Sequence, residues 1–362
     1  MIEDLIRGHV RSIKPYEPVQ PFELISQSLG LCTDEMIKLD ANENPYGPLP
    51  AVKDALSQLS FPHIYPDSQS ILLRQALAEW VELPQEQLVV TAGADELIDL
   101  LMRLFLDPGD AILISSPTFG MYAFDAAIHN ARVIDVPRRV DYSLDLMAIQ
   151  ESVRRETPKL IFMASPNNPD GRLMTEQEYT LLADLPAVLV LDEAYIDFAT
   201  PRSSKIQDVF NRKNLVVLRT LSKWGGLAGL RVGYGILPSG IMTELLKIKQ
   251  PYSVSTAAQS AALAALSDQA TLKDVGRSII KERERLFNVL SEVGFIKPMK
   301  SQANFILCQI LDRDAAELRS ILAQRGILVR HFAKPRLEDC IRISIGRPEQ
   351  NDRLLQVLRE ME

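Results

Sequence analysis

Apolar residues recur with two different periods along this chain. Between about residues 86 and 236, short β-rich runs at 88–91, 111–114, 131–134, 160–163, 187–191, 215–218 and 232–235 alternate with helix-like stretches, among them an amphipathic helix expected over 95–106. Several of these runs lack polar alternation, the mark of strands covered by helices on both faces. The pattern predicts an α/β fold, with a mostly parallel central sheet flanked by helices in a large domain. Beyond residue 254 the pattern changes. Helical spacing over 257–266 and 272–293 leads to a strand at 304–307, a helix at 315–325 and short strands at 327–329 and 340–345, a smaller α+β domain. The expected division is an N-terminal arm and helix over 1–38, with Pro15, Pro18 and Pro21, packing on the small domain; a large domain over 39–253; and the small domain over 254–362.

Ligands of such sheets gather at the carboxyl ends of strands, so residues just past each apolar run hold the candidate chemistry. Ala92-Gly93-Ala94-Asp95-Glu96 is a glycine turn opening a helix, whose first N–H groups suit a phosphate; simple capping by Asp95 is the plainer alternative. Ser165-Pro166-Asn167-Asn168-Pro169-Asp170-Gly171 reads, taken alone, as a proline-bounded turn. Asp192, in Asp192-Glu193-Ala194-Tyr195, ends a buried strand, where a carboxylate is costly unless a cation or hydrogen bonds meet it; a helix cap is the alternative. The most specific segment is Arg219-Thr220-Leu221-Ser222-Lys223-Trp224-Gly225-Gly226, with Arg231 eight residues beyond the lysine. A lysine among hydroxyls and glycines suits an aldehyde-bearing phosphate: the amine condenses with the aldehyde while Thr220, Ser222 and Arg231 hold the anion. A single lysine would more often be a surface residue, so the weight rests on the ensemble.

The ordered set Asn168, Asp192, Tyr195, Ser222-Lys223 and Arg231 resembles the fold-type I pyridoxal-phosphate-dependent enzymes over essentially the whole chain. The resemblance implies pyridoxal 5'-phosphate bound covalently by Lys223, which would also shuttle the proton at the substrate Cα. It implies Asp192 against the pyridine nitrogen, Asn168 and Tyr195 on the ring oxygen, and Phe119 stacked on the ring, where core packing competes as a reading. The phosphate cup would be Gly93, Ala94 and Asp95, largely by backbone, with Thr220, Ser222 and Arg231. The segment Asp40-Ala41-Asn42-Glu43-Asn44-Pro45-Tyr46-Gly47-Pro48 and Tyr65-Pro66-Asp67 are similar to signatures of the histidinol-phosphate aminotransferases. That likeness implies a homodimer in which Tyr65 reaches the neighbouring subunit's cofactor phosphate, with Asn42 in the substrate pocket. It further implies that Arg342 takes the carboxylate of glutamate or 2-oxoglutarate, as a two-pronged guanidinium does well. Arg330 would read the substrate phosphate, and Tyr16 and Tyr252 would line that pocket or merely pack.

The implied reaction is ping-pong transfer of an amino group between L-histidinol phosphate and 2-oxoglutarate, a step of histidine biosynthesis. A decarboxylase of a phosphorylated amino acid such as threonine phosphate is one alternative, and an aromatic or broad-specificity aminotransferase another. A cofactor sensor without catalysis would need an added segment or a lost lysine. Two departures from the family pattern stand out: Asp170, expected to add charge at the site mouth, and Trp224, expected to add bulk beside Lys223.

A net charge of -7 with dispersed Lys and Arg argues against nucleic acid and for small-molecule substrates. Cys32, Cys308 and Cys340 have neither disulfide nor zinc spacing and are expected to be reduced and structural. The opening Met1-Ile-Glu-Asp-Leu-Ile-Arg has no signal-peptide pattern and no run reaches membrane length, so a cytoplasmic protein is expected.

Overall fold

A computed structural model describes residues 2–16 and 20–362; Met1 and residues 17–19, Pro18 of the expected arm among them, lie outside the described residues. The strands, in chain order, are β1 Ile37–Leu39, β2 Leu88–Thr91, β3 Ala111–Ile114, β4 Arg132–Asp135, β5 Leu160–Ala164 and β6 Val188–Asp192. They continue with β7 Leu215–Thr220, β8 Gly233–Ile236, β9 Ile296–Pro298, β10 Phe305–Ile310, β11 Ile327–His331 and β12 Cys340–Ser344. The apolar runs of the large domain all become strands of a seven-stranded sheet, ordered β2-β8-β7-β6-β5-β3-β4.

That sheet is parallel from β7 to β4, and β8 alone runs against its neighbours. Its core lies on both faces, as unbroken apolar runs require: on β5, Phe162 joins one cluster with Leu97, Ile98 and Leu101, while Ile161 and Met163 join the other with Tyr179 and Leu182. β4, with Arg132 and Asp135, is a largely exposed edge strand, as charged edges should be.

The second sheet is five-stranded, β1-β11-β12-β10-β9. β1 belongs to it, parallel to β11, so the chain leaves this sheet at Leu39 and crosses to the large one through residues 40–48. The helix Thr256–Ser267 packs against the helices Pro50–Ser57 and Ile71–Val81, on a face of small buried residues that includes Ala258, Ala261 and Ala265. The 22-residue helix Gln269–Leu290 then carries the chain on to β9 and β10.

The N-terminal arm meets both sheets: at its end the Ile37 N–H donates to the Gly326 carbonyl at 2.7 Å and β1 pairs with β11. Its helix Gly8–Ser12 packs on the helix Met121–Ile128, which flanks the large sheet. There His9 hydrogen-bonds the Ile128 carbonyl at 3.1 Å, one of the last carbonyls of that helix, which have no partner within it, and Tyr16 sets its ring edge-on to Phe124 at 6.0 Å. The three cysteines are free; Cys308 and Cys340 are buried, and Cys32 is exposed at the start of the turn Thr33–Glu35. Among the described residues no helix is long and apolar enough to cross a membrane, and no group of side chains is placed to hold a metal ion.

Candidate active site

Because β5, β6 and β7 are parallel, their carboxyl ends share one edge: Ala164 lies beside Asp192, and Asp192 beside Leu218. The link from β7 to β8 contains no α-helix, only residues 221–232, so β8 returns antiparallel. β2 then pairs antiparallel with β8, and its Thr91 meets the same Gly233 that Thr220 meets. This register forces together the start of the helix Gly93–Phe105, the turn Thr220-Leu221-Ser222 and Arg231.

Thr220 donates its hydroxyl to Ser222 Oγ at 2.9 Å, and Arg231 donates to the Asp95 carboxylate at 2.6 Å. A Cβ on Gly233 would strike the backbone of Gly93 and Ala94, and one on Gly93, at φ +79°, would strike the Arg231 guanidinium. A helix N-terminus, two hydroxyls and a guanidinium around one space make an anion site. Gly93→Ala should therefore cost about 1–3 kcal/mol of backbone strain. Displacing Arg231 should also weaken cofactor binding at least about tenfold, a loss within the range for hydrogen bonds to charged groups. Fluorescence titration of the cofactor-free variant with pyridoxal phosphate measures the second effect.

Lys223 lies in the same loop. Its Nζ donates to the Ala41 carbonyl at 3.2 Å and sits 5.9 Å from the centre of the Tyr195 ring. Burial, with the positive charge of Arg342 second, lowers its pKa to about 8. The amine is thus uncharged, and nucleophilic, from about pH 8 upward. Amine-selective labelling of the cofactor-free protein should rise at Lys223 through about pH 8, whereas exposed lysines rise near the ordinary value of about 10.4. Peptide mass spectrometry reads both, and labelling of Lys223 that tracks the exposed lysines would refute the shift.

Asp192 ends β6 fully enclosed. Its oxygens accept the Tyr122 hydroxyl at 2.6 Å and the Ala194 N–H at 2.9 Å, and among the described residues no Lys or Arg is within ion-pairing distance. Burial raises its pKa to about 6. Tyr195 accepts a hydrogen bond from Asn42 Nδ2 at 3.1 Å, and burial raises its pKa. Asn42 in turn donates its N–H to Ser344 Oγ at 2.8 Å and accepts from Asn304 Nδ2 at 2.9 Å, which ties the 40–48 crossover to both sheets.

Arg342 donates to Asn168 Oδ1 at 2.7 Å and to the Asp40 carbonyl at 2.8 Å; its buried Nε has no partner. Burial lowers its pKa to about 10, and Arg330 adds to the effect. Arg330 is its cross-strand neighbour on β11, with the Phe332 ring 5.6 Å from the Arg330 guanidinium and 5.5 Å from that of Arg342. Among the described residues neither arginine has a carboxylate partner, and Tyr16 lies within electrostatic range of Arg342.

The remaining sequence candidates separate. Phe119 packs at the edge of the core and meets Tyr122 edge-on at 5.5 Å. Tyr65, 80% exposed, stacks on Tyr252 at 4.8 Å, so within one chain Tyr252 joins Tyr65 rather than the arginine pair. Asp170 is buried, accepting from the Arg172 N–H at 2.7 Å and from the Asn167 side chain, so it shapes the turn and puts no charge at the mouth. Trp224 stacks on Trp80 at 4.6 Å, which takes its bulk out to the helix Ile71–Val81. Sequence reasoning missed Tyr122, Asn304 and Ser344. Tyr122 had a faint signal: it lies three residues past Phe119 in the same segment.

Pyridoxal 5'-phosphate asks for an anion cup, an amine able to shed its proton, a buried acceptor for its ring nitrogen, and donors for its ring oxygen. The fit is good on each count, and the enclosed Asp192 carboxylate without a cation is the clearest sign, since such a group needs a positive partner. Fold and site together define a pyridoxal-phosphate-dependent transferase. The sequence pattern of the family "Aminotransferase class I and II" matches residues 34–358. A chloroplastic histidinol-phosphate aminotransferase of Nicotiana plumbaginifolia is 49% identical over 98% of this chain and 86% of that protein. That of Roseiflexus castenholzii is 48% identical over 99% of both chains. The solved histidinol-phosphate aminotransferase of Sinorhizobium meliloti, in complex with pyridoxal-5'-phosphate, superposes with a TM-score of 0.88 at 28% identity, covering 99% of this chain and 98% of that one. The chain belongs to the class I and II aminotransferases and, within them, to the histidinol-phosphate aminotransferase family.

Proposed function

We propose that this enzyme moves the amino group of glutamate onto imidazole-acetol phosphate, giving 2-oxoglutarate and L-histidinol phosphate, and that it also runs in reverse. The observation that supports this reading best is the cross-strand pair Arg330 and Arg342. Like charges side by side on a strand pair destabilise each other, so they are expected where anions bind between them. In this reading Arg342 holds the carboxylate of glutamate and Arg330 the phosphate of the other substrate.

When bound, pyridoxal phosphate supplies the aldehyde that carries the amino group and a ring that takes up electrons released at Cα. Lys223 Nζ, whose pKa burial lowers to about 8, takes the Cα proton and returns it on the far side of the transfer. Asp192 would hold the proton on the ring nitrogen, Tyr195 and Asn168 would hold the ring oxygen, and Phe119 would cover a ring face. The cup of Gly93, Ala94, Asp95, Thr220, Ser222 and Arg231 would hold the cofactor's phosphate. Asn42 orients Tyr195 from the crossover.

We place the enzyme as a homodimer working in the cytoplasm. The exposed Tyr65–Tyr252 stack, beside an open cavity of about 510 Å³, is the feature suited to reaching a neighbouring subunit's cofactor phosphate. The test is a comparison of kcat/KM for histidinol phosphate, phenylalanine, tyrosine and threonine phosphate. Histidinol phosphate should lead by at least about tenfold, the effect of roughly 1.4 kcal/mol in binding the transition state. Equal values for the aromatic amino acids would make this a broad-specificity aminotransferase, and carbon dioxide from threonine phosphate would make it a decarboxylase.

A further inference from the structure

Tyr122 is the one fully buried tyrosine that touches a residue of the candidate site while having no assigned part in it. Its hydroxyl donates to Asp192 Oδ2 at 2.6 Å. Its ring is clamped, stacked on Phe162 at 5.1 Å and 20° and edge-on to Phe119 at 5.5 Å and 83°. The same side chain therefore touches both the carboxylate assigned to the ring nitrogen and the aromatic residue assigned to a ring face. We infer that Tyr122 is a positioning residue, which keeps Asp192 ionised and aimed so that it can hold a proton on the cofactor's ring nitrogen. The inference rests on the reading of Asp192 given above.

The physical case begins with enclosure. A carboxylate inside a protein, with no cation at hand, takes up a proton and becomes a neutral acid unless hydrogen bonds favour its charge. Here the two groups that do so are the Tyr122 hydroxyl and the Ala194 N–H, one on each oxygen. The Ala194 bond is local, within the turn that follows β6. The Tyr122 bond comes from the helix Met121–Ile128, 70 residues earlier in sequence, and fixes the plane of the carboxylate from outside its own loop. Tyr122 is a dependable donor, because burial and the neighbouring Asp192 push its own ionisation far above the ordinary range. Without it Asp192 Oδ2 has no donor among the described residues, and the neutral acid gains ground.

The test uses Tyr122→Phe, which keeps the ring and its packing against Phe162 and Phe119. The cofactor-free protein is titrated by fluorescence with pyridoxal phosphate and with its 1-deaza analogue, which has carbon in place of the ring nitrogen. The ratio of the two affinities is compared between variants, so a general loosening of the site cancels. The inference predicts that Tyr122→Phe reduces the preference for pyridoxal phosphate at least about fivefold, and that Asp192→Asn reduces it further. An unchanged preference in Tyr122→Phe alongside a lost preference in Asp192→Asn would overturn the role of Tyr122. An unchanged preference in Asp192→Asn would overturn the reading of Asp192 and the inference with it.

Discussion

Replacing Lys223 by alanine should lower transamination by about four orders of magnitude, the upper end of what one positioned proton-transfer group contributes. The expectation follows from position and environment. The Nζ reaches the crossover at Ala41 from the loop that also carries Thr220 and Ser222, and burial leaves it uncharged from about pH 8 upward. The fold should survive, since the Nζ makes a single hydrogen bond, to Ala41, and an enclosed ammonium is itself a cost. Steady-state assay and thermal melting of the same preparation separate the two effects. Activity within about tenfold of the parent would show that the proton at Cα is moved by another group.

The second large effect divides two neighbouring arginines. Arg330→Ala should weaken histidinol phosphate by about two orders of magnitude, near the 3 kcal/mol upper range for a hydrogen bond to a charged group, and change glutamate by less than about threefold. Arg342→Ala should do the converse to KM for glutamate and also lower kcat, because Arg342 holds Asn168 and the Asp40 carbonyl. Arg330 has no hydrogen-bonding partner to disturb among the described residues, so its loss is the cleaner probe. Competition kinetics with both substrates measures the split. Equal losses on the two substrates in Arg330→Ala would remove the phosphate-reading assignment.

Much of this site is local in origin, which is why the sequence carried it. The apolar runs become strands because they are covered on both faces, and the residues just beyond them must then lie along one edge of the sheet. Asn168, Asp192 and Lys223 could be found that way without knowing the strand order. The antiparallel β8 could not, for it depends on a 12-residue link that forms no α-helix, and nothing in the run at 232–235 distinguishes direction. Two placements share a cause. Trp224 and the helix Gly8–Ser12 each take their position from a partner distant in sequence: Trp80 in a ring stack, and the Ile128 carbonyl at the end of a helix. Tyr122 escaped for the same reason, since an aromatic residue on a helix near other apolar residues looks like core until Asp192 is seen beside it.

The central claim is that one site takes the amino group from a phosphate-bearing donor and gives it to an oxo acid. A single-turnover experiment tests it most directly. The enzyme loaded with pyridoxal phosphate is mixed with an equivalent of L-histidinol phosphate and no acceptor, and products are followed by mass spectrometry. The account predicts close to one imidazole-acetol phosphate per site, no carbon dioxide, and glutamate in matching amount once 2-oxoglutarate is added. Intact histidinol phosphate, with carbon dioxide released when threonine phosphate is supplied instead, would contradict it.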